Sequence, residues 1–198
     1  MRKSISLLLI LFVAFVSLKT HAKSLESNLV GTWVGDVIVV SEDNLSGYIT
    51  PVVAFNENKN GSYSFLINTT YTIDTNTSIE IRIAGNIPGK WMLDEDDNIV
   101  LSLNKERFVM NITDKCFKIN SKDNEVAQLL EEYKPILIND LSKIKDTVLE
   151  SIPEKRTFSN PTIKKSKLYL TTEDGSTMTF TRGRSKKASI PNNKREWQ

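Results

Sequence analysis

From Trp33 to Ile112 the chain alternates apolar and polar residues with a period of two, and this pattern constrains the fold more than any other feature. Successive side chains of a strand point to opposite faces, so such a segment can bury one face only within a sheet. The clearest stretch runs from Gly61 to Thr75. Tyr63, Phe65, Ile67, Tyr71 and Ile73 share one face, and Ser64, Asn68, Thr70, Thr72 and Asp74 share the other. Trp33, Gly35, Val37 and Val39 predict a first strand, and Tyr48 to Phe55 a second with Pro51 near its start. Asp74-Thr75-Asn76-Thr77 predicts a turn before Ile79, Ile81 and Ile83, which alternate with Glu80 and Arg82. Pro88-Gly89 predicts a break before Trp91 and Leu93. Asp94 to Asn98 is a polar turn leading to Ile99, Leu101 and Leu103, and Phe108, Met110 and Ile112 begin a further strand.

The period then switches. Val126, Leu129, Leu130, Tyr133, Leu137, Leu141, Ile144, Val148 and Ile152 recur at three and four. This predicts an amphipathic helical segment over about 124–152, broken or kinked near Pro135 and ended by Pro153. Two strands follow, 162–172 and 176–182, joined by the hairpin signal Glu173-Asp174-Gly175. The fold class is therefore mainly β: an antiparallel barrel or curved sheet of seven to nine strands, with the kinked helical segment before the last hairpin. The helix must bury its apolar stripe against a barrel mouth or wall.

The two ends of the chain read differently. Arg2 and Lys3 precede an uncharged stretch from Ser4 to Leu18, and Thr20 and Ala22 stand at the positions that fit a signal peptidase. Residues 1–22 are expected to be a signal peptide of bacterial type, with an uncleaved anchor as the alternative. The absence of Cys near residue 22 excludes lipid attachment there. Export to the periplasm is expected, with secretion the variant. Removing Arg2, Lys3 and Lys19 takes the 26 basic residues to 23 against 24 acidic ones, a net charge of −1. The positive charge of the whole chain is thus partly an export signal and no nucleic-acid footprint. Residues 183–198 form a basic, polar tail expected to be disordered. The domain between is 23–182.

His21, the single histidine, leaves with the signal. Ser-His-Asp and Cys-His catalysis and the usual catalytic zinc sites lose their imidazole. Cys116, the single cysteine, allows no internal disulfide and reads as a buried free thiol in the strand-like Cys-Phe-Lys-Ile. An EF-hand starting at Asp94 would need Gly and Glu where Ile99 and Lys105 stand, so the acidic run reads as a solvated turn. Asp36, Glu80 and Asp74 lie on outward faces with no pairing. The reading is no enzyme, no cofactor, no metal site and no nucleic-acid partner. Five Asn-x-Ser/Thr triplets, at Asn44, Asn60, Asn68, Asn76 and Asn111, fit a chain rich in these residues. Lys155, Arg156, Lys164, Lys165 and Lys167 add a basic face near the C-terminus; membrane contact would come only through an uncleaved signal or the basic tail.

Gly31-Thr32-Trp33 opens the first strand, and Thr181-Arg182 closes the last after Met178 and Phe180. In these two places the chain resembles the lipocalin and wider calycin group, whose first strand starts Gly-x-Trp and whose last carries a basic residue over the Trp ring. Thr113-Asp114-Lys115 echoes the group's Thr-Asp-Tyr signature, and the two strands after the helix depart from its usual order. The resemblance implies a lipocalin-like barrel closed by Trp33 and Arg182, with a cavity for a small hydrophobic ligand. Tyr48, Tyr63, Phe65, Ile67, Tyr71 and Trp91 are the candidate lining, with plain core as the alternative role. The expected function is non-enzymatic: an exported lipocalin-like protein binding that ligand. The alternative is a periplasmic protein-interaction module without a ligand, such as an accessory to a membrane regulator or assembly, or an immunity protein. It predicts an exposed apolar patch or an open sheet edge.

Overall fold

A computed structural model describes residues 25–183. The expected signal peptide, 1–22, and residues 184–198 of the expected tail lie outside the described residues. A helical turn (α1, residues 25–29) leads into eleven antiparallel strands in one sheet. They are β1 (Gly31–Gly35), β2 (Ile38–Glu42), β3 (Leu45–Phe55), β4 (Asn60–Asp74), β5 (Thr77–Leu93), β6 (Ile99–Leu103), β7 (Val109–Met110), β8 (Phe117–Ser121), β9 (Lys155–Lys164), β10 (Lys167–Thr171) and β11 (Thr177–Arg182). One long helix, α2 (Asn124–Ser151), precedes the last three. The neighbours run β1-β11-β10-β9-β6-β5-β4-β3, and β3 pairs back to β1, so eight strands form a closed ring.

Alternation explains what fills the ring. Odd-numbered positions of β3, β4 and β5 face inward because Val53, Tyr63 and Ile87 stand side by side in register. Trp33, Phe55, Trp91, Ile99, Leu101, Phe158, Leu168, Leu170 and Phe180 are wholly or almost wholly buried there. β3, β4 and β5 have 11, 15 and 17 residues, against five each in β1 and β10. Their far ends therefore overhang the ring. β2 flanks this overhang on β3, and β8 flanks it on β5. α2 packs chiefly on β8, and its Leu141, Val148 and Leu149 reach the core. Asp123 caps it, accepting the Glu125 and Val126 N–H groups.

Four expectations need correction. The first strand does not run through Val39: the extended chain breaks after Gly35, and β2 continues along β3 beyond the end of β11, leaving Val37 and Val39 exposed. Pro88-Gly89 is not a break, because β5 passes through it. Pro88 sits where β5 changes its second neighbour, so no ladder bond misses its N–H, and its carbonyl accepts the Asn104 N–H at 2.8 Å. At Gly89 a Cβ would lie 2.1 Å from the Ser102 carbonyl oxygen, so only glycine lets β6 pair this closely. Pro135 does not break α2, which is continuous around it. Three strands, not two, follow the helix: a turn at Lys165, whose φ is 57°, divides the predicted 162–172 strand, and β9 begins at Lys155.

Candidate functional site

An open cleft of about 580 Å³ lies where β5 changes partners. β8 runs beside β5 from Thr77 to Ile81, and β7 beside Gly85 and Asn86. Among the described residues no strand pairs with Arg82–Ala84 on that side. The chain after Met110 leaves the sheet, makes a single 3-10 turn at Asp114–Cys116, and returns at Phe117. At roughly 3.3 Å per residue, the span from Ile81 to Gly85 opens a window of about 13 Å in the wall.

The floor of the cleft is apolar. Ile83 and Phe117 are buried and Ile67 is half-buried; all three project toward the inner side of the sheet. Phe65 closes the floor against the ring interior. Its ring lies across Gly85, where an added Cβ would stand 2.1 Å from Cζ, and its centroid is 6.3 Å from that of Phe108. The rim is mixed. Leu66, Asn68, Arg82, Ala84 and Asn86 line it from the outer face of β4 and β5, and Val109, Asn111, Lys115, Cys116 and Lys118 from the opposite side.

Charge at the rim is organised around Glu80. Its carboxylate accepts from Asn120 Nδ2 at 3.0 Å, Arg82 Nη2 at 3.1 Å and Lys118 Nζ at 3.2 Å. The Asn120 hydrogen bond, then that of Lys118, hold its pKa below the usual carboxylate range, so Glu80 stays ionised at neutral pH. Arg82, Lys115 and Lys118 thus face one carboxylate, and the cleft carries net positive charge. Lys115 is exposed and makes no ion pair with a described residue.

The six candidate lining residues do not converge. Ile67 lies in the cleft and Phe65 directly beneath it. Tyr63 is half-buried inside the ring, with the inward-facing Arg156 guanidinium 4.7 Å from its ring centroid. Trp91 is 2% exposed and belongs to the core: its Nε1–H donates to the Asn56 carbonyl at 2.9 Å, and it packs 5.1 Å from Phe55. Tyr71 is 44% exposed on the overhang. Tyr48 is 43% exposed and on the opposite face from the others, since it pairs with the outward-facing Asn68. A shared aromatic face including Tyr48 does not exist.

At the other end of the sheet, Trp33 and Arg182 are register partners on β1 and β11. The Arg182 guanidinium lies 4.5 Å from the Trp33 ring centroid and donates to the Asn28 and Val30 carbonyls. Trp33 Nε1–H donates to the Leu29 carbonyl at 2.7 Å. One arginine and one indole therefore tie α1 to both strands.

Cys116 lies in the 3-10 turn before β8, half-buried at the cleft, instead of within a strand; its thiol donates to the Asn111 carbonyl at 3.5 Å. The Asp94 carboxylate accepts the Asp96 and Asn98 N–H groups of its own turn, at 3.0 and 2.9 Å. Its pKa is lowered, chiefly by Asn98. Among the described residues no three His, Cys, Asp or Glu side chains converge on a metal position, and no helix is long and apolar enough to cross a membrane.

Sequence reading missed Arg82, Lys115 and Lys118 as a group. The local signal was present only for Arg82, outward beside Glu80 on an alternating strand; nothing local brings 109–118 next to 66–86. Comparison of the sequence with protein-family models and with curated proteins gives no match in either.

Proposed function

We propose that this is an exported, non-enzymatic binding protein, lipocalin-like in its ends, which takes a small hydrophobic ligand in the cleft beside β5 instead of in the ring interior. The observation that carries the reading is the cleft itself: about 580 Å³ over the apolar floor of Ile67, Ile83 and Phe117. That volume falls within the few hundred Å³ usual for small-molecule sites. The ring interior supports the same placement, since five buried aromatic rings (Trp33, Phe55, Trp91, Phe158 and Phe180) already occupy it. The test is displacement of a fluorescent apolar probe from the wild type and from Ala84→Trp, which puts an indole at the rim without touching the core. Probe binding in the wild type and its loss in Ala84→Trp support the reading. Equal binding by the two proteins contradicts it.

A second reading, a protein-interaction module, has its own observation. Leu129, Tyr133, Ile136 and Ile144 are exposed on α2 at helical spacing, forming an apolar stripe beside the packed face. Crosslinking in the native host that yields one adduct with the wild type, lost in Leu129→Glu/Ile136→Glu, would favour it.

A further inference from the structure

We infer that the ligand is a single-chain amphiphile with an anionic head group; this rests on the cleft being the binding site. The cleft is graded from floor to rim. Ile83 and Phe117 at the bottom are buried and offer no polar side chain, whereas Arg82, Lys115 and Lys118 stand at the rim. A molecule filling it from both ends needs an apolar body and a polar head on the same axis.

The sign of the head follows from the ionic pairing. Glu80 is the one acidic residue lining the cleft, and its oxygens are engaged by Asn120, Arg82 and Lys118. It therefore cancels part of the positive charge and offers little to an incoming cation. Lys115 brings an ammonium to the rim with no carboxylate paired to it among the described residues. A carboxylate, sulfate or phosphate monoester head would complete that pairing in water-accessible surroundings. Asn68, Asn86 and Asn111 add amide donors around the same opening. A quaternary ammonium head would meet three cations and, having no N–H, could not donate to the asparagine carbonyls around the opening.

An exposed ion pair is worth roughly 0.2–1 kcal/mol, so the one with Lys115 gives about a 1.4- to fivefold preference over a neutral head. The experiment uses dodecanoate and dodecyltrimethylammonium below their micellar concentrations and dodecanol below its solubility limit, each displacing the same uncharged fluorescent probe. The expected order is dodecanoate tightest and the ammonium weakest, with the margin shrinking as salt rises. Lys115→Glu should remove most of the dodecanoate preference, and Glu80→Gln should increase it. Dodecanol binding must survive in Lys115→Glu, which shows that the variant is folded and its floor intact. Equal affinity for all three probes, lost in Ala84→Trp, overturns the anionic head while the cleft reading stands. Displacement by none of the three, with the fluorescent probe insensitive to Ala84→Trp, overturns the cleft reading and this inference with it.

Discussion

Gly85→Ala is the sharpest test of the packing that separates the cleft from the core. The new Cβ would stand 2.1, 2.5 and 2.7 Å from Cζ, Cε1 and Cε2 of Phe65. Ordinary carbon contacts are about 3.5–4 Å, so the ring must retreat by more than an ångström. It has little room: Phe65 is 5% exposed and packs against Phe108, 6.3 Å away between ring centroids. Overpacking of this kind costs about 1–3 kcal/mol, and the immobile neighbours place it near the upper end. For a chain of this length, that is a fall in Tm of about 5–10 °C. Phe65→Leu removes all three clashing atoms at a cost of about 1 kcal/mol. In that background Gly85→Ala should cost under about 0.5 kcal/mol, because alanine also suits a strand better than glycine. Urea unfolding of the four proteins gives the coupling directly, and about 2.5 kcal/mol is expected. Equal costs of Gly85→Ala in both backgrounds would refute the claim that Phe65 requires the glycine.

Trp33→Phe should cost about 1–3 kcal/mol beyond its loss of volume, because the wholly buried Leu29 would keep a carbonyl with no indole N–H; calorimetric Tm values for Trp33→Phe and for a control, Phe158→Leu, check this. Arg182→Met keeps the aliphatic stem over the indole but loses the cation and its bonds to Asn28 and Val30, so about 1–2 kcal/mol should be lost, and Arg182→Lys should recover part of it. Stability should fall in acid. The folded pKa of Glu80 lies below its ordinary 4.5, so its contribution is fully present above pH 4.5 and is lost as the pH drops through the lowered folded value. The gap between wild type and Glu80→Gln in urea midpoint should therefore be open at pH 7 and close toward pH 3; a constant gap contradicts the assignment.

How far the sequence discloses this fold depends on whether a feature is local. The alternation of Tyr63, Phe65 and Ile67 is a property of one strand, and β4 follows it residue by residue. The switch to helical spacing at Val126 is equally local, and α2 begins within two residues of it. Tyr48 shows the limit. Alternation within β3 places Tyr48 opposite Val53, but only the register with β4 shows which of those faces carries Tyr63. Pro88-Gly89 carries a turn's residues for a different reason: the proline fills a position with no ladder donor to give, and the glycine admits the Ser102 carbonyl. The cleft is the least legible feature. Its two sides, 66–86 and 109–118, meet only because β7 and β8 both pair with β5 and leave three of its residues uncovered. The Trp33–Arg182 contact also spans nearly the whole described chain, and it is anticipated only through what the resemblance of Gly31-Thr32-Trp33 and Arg182 to the lipocalin group implies.

In the proposed function, ligand enters the cleft and not the ring. Amide and indole chemical shifts of the isotope-labelled protein, recorded during titration with dodecanoate, test it most directly. Shifts should concentrate at Arg82–Asn86 and at residues 111–118, while the indole Nε1–H signals of Trp33 and Trp91 stay in place. Shifts centred on Trp33, Trp91 and Phe180, with Arg82–Asn86 unmoved, would place the ligand inside the ring and contradict it.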